Sequence, residues 1–155
     1  MSPSKVASEK KYTMIDERDV MVPMRDNVKV AVDVFRPDDG GKFPALLAMS
    51  PYGKGIQSMT IPAQPQESPI HHTPIEAGSP EYLASRGYVH VIADVRGIGW
   101  SEGEYRGWMS EQEAQDGHDI IEWIAEQPWC DGNVGMVGIS YFGTVQLVVA
   151  AQQPP

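Results

Sequence analysis

One serine stands between glycines in a pattern that suits nucleophilic catalysis. Ser140 lies in the segment 137–143, VGISYFG, between an apolar run and a second apolar run. A serine on a tight strand-to-helix turn projects its hydroxyl from the backbone, and nearby glycines remove the Cβ clashes of such a turn. An oxyanion formed there would meet the N–H of Tyr141 and the positive end of the helix dipole. The common elbow has glycine two residues after the serine, where this chain has Phe142, so a glycine-rich packing turn remains an alternative.

A second glycine-rich segment, DVRGIGWSEG at residues 94–103, also follows an apolar run. Such a loop can hold a phosphate, but the dinucleotide-binding pattern requires a further glycine where this chain has Glu102. We interpret the segment as a structural loop near a catalytic site, held by local hydrogen bonds from Asp94 and Arg96. A nucleotide-binding α/β domain that uses Gly97 and Gly99 is the alternative.

The other reactive side chains have simpler interpretations. His71 and His72 are adjacent, so they point in different directions, and we interpret them as a solvated loop pair and not as metal ligands. Cys130 has no neighbouring base and is assigned to packing. His90 alternates within a predicted strand and is expected to be a satisfied core or edge residue. The polar face of a predicted helix accounts for Asp116, His118 and Asp119.

Hydrophobic periodicity predicts the strands that would position these residues. Apolar and polar residues alternate around a turn at 23–27, which predicts an antiparallel hairpin, half exposed to water, with strands at 12–22 and 28–34. Short continuous apolar runs are typical of strands buried on both faces of a parallel sheet. Such strands are predicted at residues 43–49, 88–93 and 134–137.

Helices are predicted between these strands. They cover residues 81–86, a segment from Ser110 to just before Pro128, and residues 144–151. Ser110 and Glu113 form a capping box at the start of the second helix. The proline-rich stretch 50–80 is irregular and is expected to be a lid or binding loop. The predicted fold class is α/β, with a mostly parallel sheet led in by an antiparallel hairpin.

Composition excludes several classes of function. The 155 residues carry 12 Lys and Arg against 21 Asp and Glu, a net charge of −9, which argues against binding to nucleic acid or to an anionic membrane. The apolar run 134–151 is broken by glycines and Gln146, so it does not predict a membrane span. Residues 1–11 are polar and predict a flexible leader and not a signal peptide, with the domain at 12–155 and a cytoplasmic location.

Four segments, in this order along the chain, together resemble one enzyme family. They are SPYGK at 50–54, DVRGIGWSEG at 94–103, QPWCDGNVG at 127–135 and GISYFG at 138–143. From about Met21 onwards the chain is similar to the α/β-hydrolases that include X-Pro dipeptidyl-peptidases, cocaine esterase, glutaryl acylases and α-amino-acid ester hydrolases. In that family the elbow is Gly-x-Ser-Tyr-x-Gly, which Phe142 and Gly143 fit.

The resemblance implies roles for three residues. Ser140 would be the nucleophile, Tyr141 would donate its backbone N–H to the oxyanion, and Tyr52 would supply a second donor through its hydroxyl. Without the resemblance, Tyr52 would be interpreted as an ordinary half-buried loop tyrosine. Trp100 and Trp129 could line an acyl pocket or pack in the core. The resemblance implies no metal or organic cofactor, and its substrate class is a small acyl ester, amide or peptide.

The rest of a catalytic triad is missing from the sequence. In this fold the acid and the histidine follow the serine along the chain, and residues 141–155 contain no Asp, Glu or His. We therefore expect a serine-dependent acyl hydrolase of which this chain is the N-terminal portion, ending after the nucleophile helix. The chain alone is expected to be inactive and to self-associate, or to need a missing C-terminal segment. The alternative is a non-catalytic hydrolase-like fragment that associates with a partner chain.

Overall fold

The structure is a computed structural model that describes residues 8–59 and 76–155. Residues 1–7 of the predicted leader lie outside the described residues. The predicted loop pair His71 and His72 lies outside them as well, with the rest of the segment 60–75. Within the two described ranges, no helix is long and apolar enough to cross a membrane.

Strands and helices follow one another in nearly the predicted order. They are β1 (Met14–Pro23), β2 (Lys29–Pro37), β3 (Phe43–Ser50), α1 (Lys54–Gln57), α2 (Pro80–Ala84), β4 (Val89–Asp94), α3 (Glu111–Ala125), β5 (Cys130–Met136) and α4 (Tyr141–Ala150). The largest difference is at β5, which begins four residues earlier than predicted, at Cys130 in place of residue 134. An irregular register against β3, between Phe43 and Ala45, accommodates the expected turn residues within the strand.

The strands form one five-stranded sheet in the order β1-β2-β4-β3-β5. β3 pairs in parallel with both β4 and β5, while β2 pairs antiparallel with β1 and with β4. The sheet is therefore mixed, with a parallel group and an antiparallel hairpin, as the sequence predicts. Because the carboxyl ends of parallel strands lie at the same sheet edge, the segments that follow β3, β4 and β5 converge there.

Two predictions about burial were wrong. β2 was expected to be half exposed, but seven of its nine residues are buried because it lies between β1 and β4, with both faces covered. β5 was expected to be buried on both faces, but it is one of the two edge strands of the sheet, and only Cys130 in it is buried. The pattern of apolar and polar residues along a strand describes only the side chains of that strand. Whether those side chains are buried depends on where the strand lies in the sheet.

The core occupies both faces of the sheet. One face packs against α3 and α4 and contains alternate residues of β2, β3 and β4, with Ile120, Ile124 and Val145 from the helices. The opposite face carries a smaller cluster made of Phe35, Ala48, Ala77, Ile92 and Phe142. Phe142 belongs to α4, so the start of this helix reaches the second face over the end of the sheet.

Two arginines join the hairpin and the loop after β4 to α3. Arg25 donates to Asp119 from its backbone N at 2.8 Å and from Nη2 at 2.6 Å. Arg96 donates to Asp116 at 2.7 Å and to Asp26 at 2.7 Å. Asp116 and Asp119 do lie on the polar face of α3, as expected, but they are buried there because the two arginines cover them. Arg96 was expected to hold the glycine-rich loop by local hydrogen bonds, but it fastens the start of this loop to α3 and to the hairpin turn.

Candidate active site

The backbone at Ser140 is strained and the residue is exposed. Its φ of 58° and ψ of −119° lie in a region that residues with a Cβ seldom adopt. Gly138 has a φ of 144°, and a Cβ there would lie 2.1 Å from Cβ of Phe142, so only glycine fits. Among the described residues, none makes a hydrogen bond to the Ser140 side chain. The predicted strand–turn–helix elbow is therefore present, with its hydroxyl uncommitted.

The first N–H group of α4 is available beside this serine. Tyr141 is the first residue of the helix, and the first N–H groups of a helix have no acceptor within the helix. The N–H groups of Gly143 and Thr144 already donate to the carbonyl oxygen of Ser140, at 3.0 and 2.9 Å. The Tyr141 N–H has no acceptor within the part of the chain that the structure describes, so it can donate to an oxyanion at Ser140.

Tyr52 reaches the same site from the loop after β3. Its ring packs edge-on against Tyr141 with a centroid distance of 5.5 Å, and against Phe142 at 6.3 Å. Tyr52 is 47% exposed, so part of this residue is open to a bound molecule. The structure thus brings the three predicted site residues, Tyr52, Ser140 and Tyr141, to one edge of the sheet.

The phenol of Tyr141 is committed to a buried carboxylate. Its hydroxyl donates to Oε1 of Glu113 at 2.5 Å. Burial and this hydrogen bond raise the pKa of Tyr141, so its phenol stays protonated and acts as a donor. Burial also raises the pKa of Glu113 above its usual range. The sequence pattern indicated Glu113 only as a capping residue, and its N–H does donate to Oγ of Ser110 at 3.2 Å. The carboxylate of Glu113, however, accepts from the N–H of Met109 and from the hydroxyl of Tyr141.

A tryptophan that the sequence patterns did not single out flanks the site. Trp108 stacks on the Tyr141 ring at 5.9 Å, with 20° between the ring planes, and is 68% exposed. Trp129 lies at the other end of β5 from Ser140 and packs against Trp123 at 6.2 Å, which favours the packing interpretation. Trp100 is exposed on the glycine-rich loop. Since Trp108 sits in an irregular segment, no periodicity could have indicated it.

The glycine-rich loop is shaped around Asp94 and not around a phosphate. Asp94 accepts from the N–H of Lys54 at 2.6 Å and from that of Trp100 at 3.4 Å. A Cβ on Gly99, which has a φ of 57°, would lie 2.1 Å from Oδ2 of Asp94. The glycine is needed because the backbone passes directly over this carboxylate. This supports the structural interpretation of the loop and explains its glycine without a nucleotide.

The segment after residue 75 also contacts the elbow. The N–H of Ile139 donates to the carbonyl oxygen of Glu76 at 3.0 Å. The same carbonyl lies 3.2 Å from where a Cβ on Gly138 would be. The described end of the proline-rich stretch therefore contacts Ile139, the residue that directly precedes the candidate nucleophile.

The described histidines do not serve Ser140. His90 is buried in β4, and neither of its ring nitrogens makes a hydrogen bond of normal geometry within the described residues, although the nearby backbone of Ala77 partly offsets the effect of burial on its pKa. Burial lowers its pKa to about 4. His118 lies on α3 near Asp119 and Glu122. Neither imidazole hydrogen-bonds to Ser140, so a base for this serine is not found in the two described ranges.

One group of side chains has the composition of a metal site. Ligand atoms of His118, Asp119 and Glu122 lie within 4.8 Å of one another. Asp119, however, already accepts three hydrogen bonds from the Arg25 guanidinium and one from its backbone. The positive charge of Arg25 so close to Asp119 repels a metal cation at the same carboxylate. We therefore interpret Asp119 as the partner of Arg25 in the ion pair that joins the hairpin turn to α3.

Comparison with known proteins supplies the family. Residues 26–155 match the X-Pro dipeptidyl-peptidase (S15) family. The chain belongs to this family. The four segments that carried the resemblance all lie inside the matched range, as do the elbow and Tyr52. This confirms the family expected from the sequence.

Individual relatives agree with this membership. The S15-family chain is 42% identical over 127 residues to cocaine esterase of a Rhodococcus species, which covers 82% of this chain and 20% of that protein. A CocE/NonD family hydrolase from Staphylococcus aureus superposes with a TM-score of 0.77 at 38% identity, over 92% of this chain and 26% of that chain. An α-amino acid ester hydrolase superposes with a TM-score of 0.70 at 29% identity, over 99% of this chain and 26% of that chain. The α/β-hydrolase class is confirmed, and the chain spans about a quarter of these relatives' length or less.

Proposed function

We propose that the protein containing this chain is a serine-dependent acyl hydrolase that works through an acyl-enzyme at Ser140. The observation that carries the proposal is the strained, exposed conformation of Ser140 between a parallel strand and a helix. Strain of this kind costs about 1–3 kcal/mol and is kept where function requires it. The S15 family match and the esterase relatives support the same chemistry.

The reaction would proceed in two acyl transfers. Oγ of Ser140 attacks the carbonyl carbon, its proton passes to a base, and a tetrahedral oxyanion forms. The Tyr141 N–H and the Tyr52 hydroxyl donate to this oxyanion, and the alcohol or amine departs with a proton from the base. Water then attacks the acyl-Ser140 ester and releases the acid. The base and the acid that orients it would come from outside the described residues.

The substrate class follows from the relatives only in outline. They include a cocaine esterase at 42% identity and an Xaa-Pro dipeptidyl-peptidase from Lactobacillus helveticus at 28% identity. The nearer similarity to an esterase favours an ester over a peptide. The exposed rings of Trp108 and Tyr52 beside the elbow offer an apolar surface on which an acyl group could rest.

A serine-reactive probe tests the proposal on the full-length protein. A fluorophosphonate should label one residue, and peptide mapping by mass spectrometry should locate the label on Ser140. The Ser140→Ala variant should not be labelled. Its kcat should be lower by about 10⁶-fold, the scale for removing a triad nucleophile. Labelling elsewhere, or near-normal turnover of the variant, would contradict it.

The chain 1–155 by itself is a useful comparison. We expect it to be inactive, because no described histidine hydrogen-bonds to Ser140, and to self-associate through β5 at the sheet edge. Light scattering and an activated-ester assay on the purified chain test both expectations. A monomer with multiple turnovers that disappear in Ser140→Ala would contradict them. Inactivity with stable binding to another chain would favour the non-catalytic alternative.

A further inference from the structure

Lys54 is a buried lysine enclosed by carboxylates. Its side chain is 4% exposed, and Nζ donates to Oδ1 of Asp33 at 2.8 Å and to Asp19. Its backbone N–H donates to Oδ1 of Asp94 at 2.6 Å. Burial alone would lower the pKa of Lys54, but the hydrogen bonds to Asp19 and Asp33 outweigh it and raise the pKa. The ammonium group is therefore charged and held in one position.

The three carboxylates come from three different strands or their ends. Asp19 sits at the irregular register of β1, with a φ of 55°, Asp33 lies in the middle of β2, and Asp94 ends β4. Asp33 also accepts from Arg18 and from the N–H of Asp19, both at 3.0 Å. Lys54 thus ties the loop after β3 to the hairpin on one side and to β4 on the other.

A buried ion pair of this kind needs an explanation other than stability. Removing two charges from water is costly, and a well-packed apolar group of similar size often stabilises a fold as well or better. A charge held by carboxylates on several strands does, however, specify one arrangement of the backbone that carries it. The part of the chain that Lys54 fixes most directly is the turn of residues 51–54.

Tyr52 lies in that turn, two residues before Lys54. Its half-exposed ring rests against Tyr141 and Phe142, and its N–H donates to Oγ of Ser50 at 3.1 Å. Gly53, between Tyr52 and Lys54, has a φ of 83° and open space around it, so it does not lock the turn by packing. Because the Tyr52 ring is about half exposed, the backbone of the turn of residues 51–54 contributes to fixing the position of its hydroxyl.

We propose that Lys54 is a positioning residue for the reaction: its contacts with Asp19, Asp33 and Asp94 hold the turn that presents the Tyr52 hydroxyl to the oxyanion. This inference rests on the proposed function and goes beyond it. A displacement of about 1 Å at a catalytic group can cost on the order of 10²-fold in rate, so a loosened turn acts on kcat.

The test is a double-mutant cycle in the full-length protein, assayed with an activated ester. Tyr52→Phe should lower kcat by about 10²–10³-fold with little change in KM. Lys54→Met should lower kcat by about 10-fold or more in the presence of Tyr52. In the Tyr52→Phe background the same Lys54→Met change should lower kcat by less than about 3-fold, because the misplaced hydroxyl is already absent.

Arg18→Met is the matched control. Arg18 also pairs with Asp33, at 3.0 Å, but it belongs to β1 and not to the turn of residues 51–54. The Arg18→Met variant should have a lower thermal midpoint than the wild type. Its kcat should stay within about 3-fold of the wild type, since Arg18 is not part of the turn that contains Tyr52. An Arg18→Met loss of kcat equal to that of Lys54→Met would overturn the inference.

A milder variant keeps the test open if Lys54→Met does not fold. Asp19 is half exposed and has a positive φ, which asparagine tolerates, so Asp19→Asn weakens one contact to Lys54 and preserves the backbone. It should lower kcat only where Tyr52 is present. Losses that are the same in both backgrounds would overturn the role of Lys54. No effect of Tyr52→Phe on kcat would instead contradict the proposed oxyanion donor.

Discussion

The phenolic oxygen of Tyr141 lies 2.5 Å from Oε1 of Glu113, so the residue after the candidate nucleophile is tied to the first turn of α3. Both side chains are buried. The other carboxylate oxygen of Glu113 accepts from the N–H of Met109 at 2.9 Å, in the segment that carries Trp108. One carboxylate therefore links the start of α4 with the chain that flanks the site.

Tyr141→Phe should destabilise the fold by about 1–3 kcal/mol, because it leaves a buried carboxylate oxygen without its donor. The hydrogen bond from Tyr141 lowers the pKa of Glu113, so its loss raises that pKa further above the unfolded value. When the folded pKa of a carboxyl lies above its unfolded pKa, the free energy of unfolding falls as pH rises from the unfolded pKa to the folded pKa. The stability lost in Tyr141→Phe, relative to the wild type, should therefore be larger at pH 7.5 than at pH 4.5. Urea unfolding at both pH values measures it, with the exposed Tyr88→Phe as the control. A deficit independent of pH would contradict this account.

Replacing Ser140 should separate strain from chemistry. Ser140→Gly relieves the φ of 58° and should stabilise the fold by about 1 kcal/mol, whereas Ser140→Ala keeps the Cβ and should not. Both variants should be inactive in the full-length protein. Thermal unfolding of the two variants measures the difference. An alanine variant at least as stable as the glycine variant would show that the serine is not strained.

A comparison of substitutions at Gly138 and Gly132 tests whether the elbow has room for a Cβ atom. Both have positive φ, but a Cβ on Gly132 meets nothing within 4 Å, while one on Gly138 lies 2.1 Å from Phe142. Gly132→Ala should cost about 1 kcal/mol from backbone strain alone. Gly138→Ala should cost clearly more and lower kcat, because Phe142 and the start of α4 must move. Equal losses in chemical denaturation would contradict the close approach.

His90 should make the fold sensitive to mild acid. Its folded pKa of about 4 lies below the usual 6.5, so the unfolded chain binds the proton more readily between these values. Stability is fully present above pH 6.5 and falls as pH decreases towards 4, by up to about 3 kcal/mol from this residue. His90→Leu should remove that part of the pH dependence, and His118→Gln, at the partly exposed histidine of α3, should not. An unchanged pH dependence in His90→Leu would contradict the account.

The sequence by itself determined the order of the elements and the elbow. Continuous apolar runs predicted β3 and β4, and the capping box at Ser110 predicted the start of α3, because these signals depend on neighbouring residues. The glycine pattern around Ser140 likewise describes a local backbone requirement, and the structure contains that turn. Motif order along the chain was sufficient to indicate the family.

Tertiary structure alone decided which polar side chains are buried and paired. Arg25 meets Asp119 across 94 positions of sequence, Lys54 meets Asp33 across 21, and Tyr141 meets Glu113 across 28. No local pattern encodes such pairs, because a charged residue on a helix or strand has the same periodicity whether water or an opposite charge covers it. The covering groups come from distant segments, and only the assembly of the sheet and its packing against α3 and α4 bring them together.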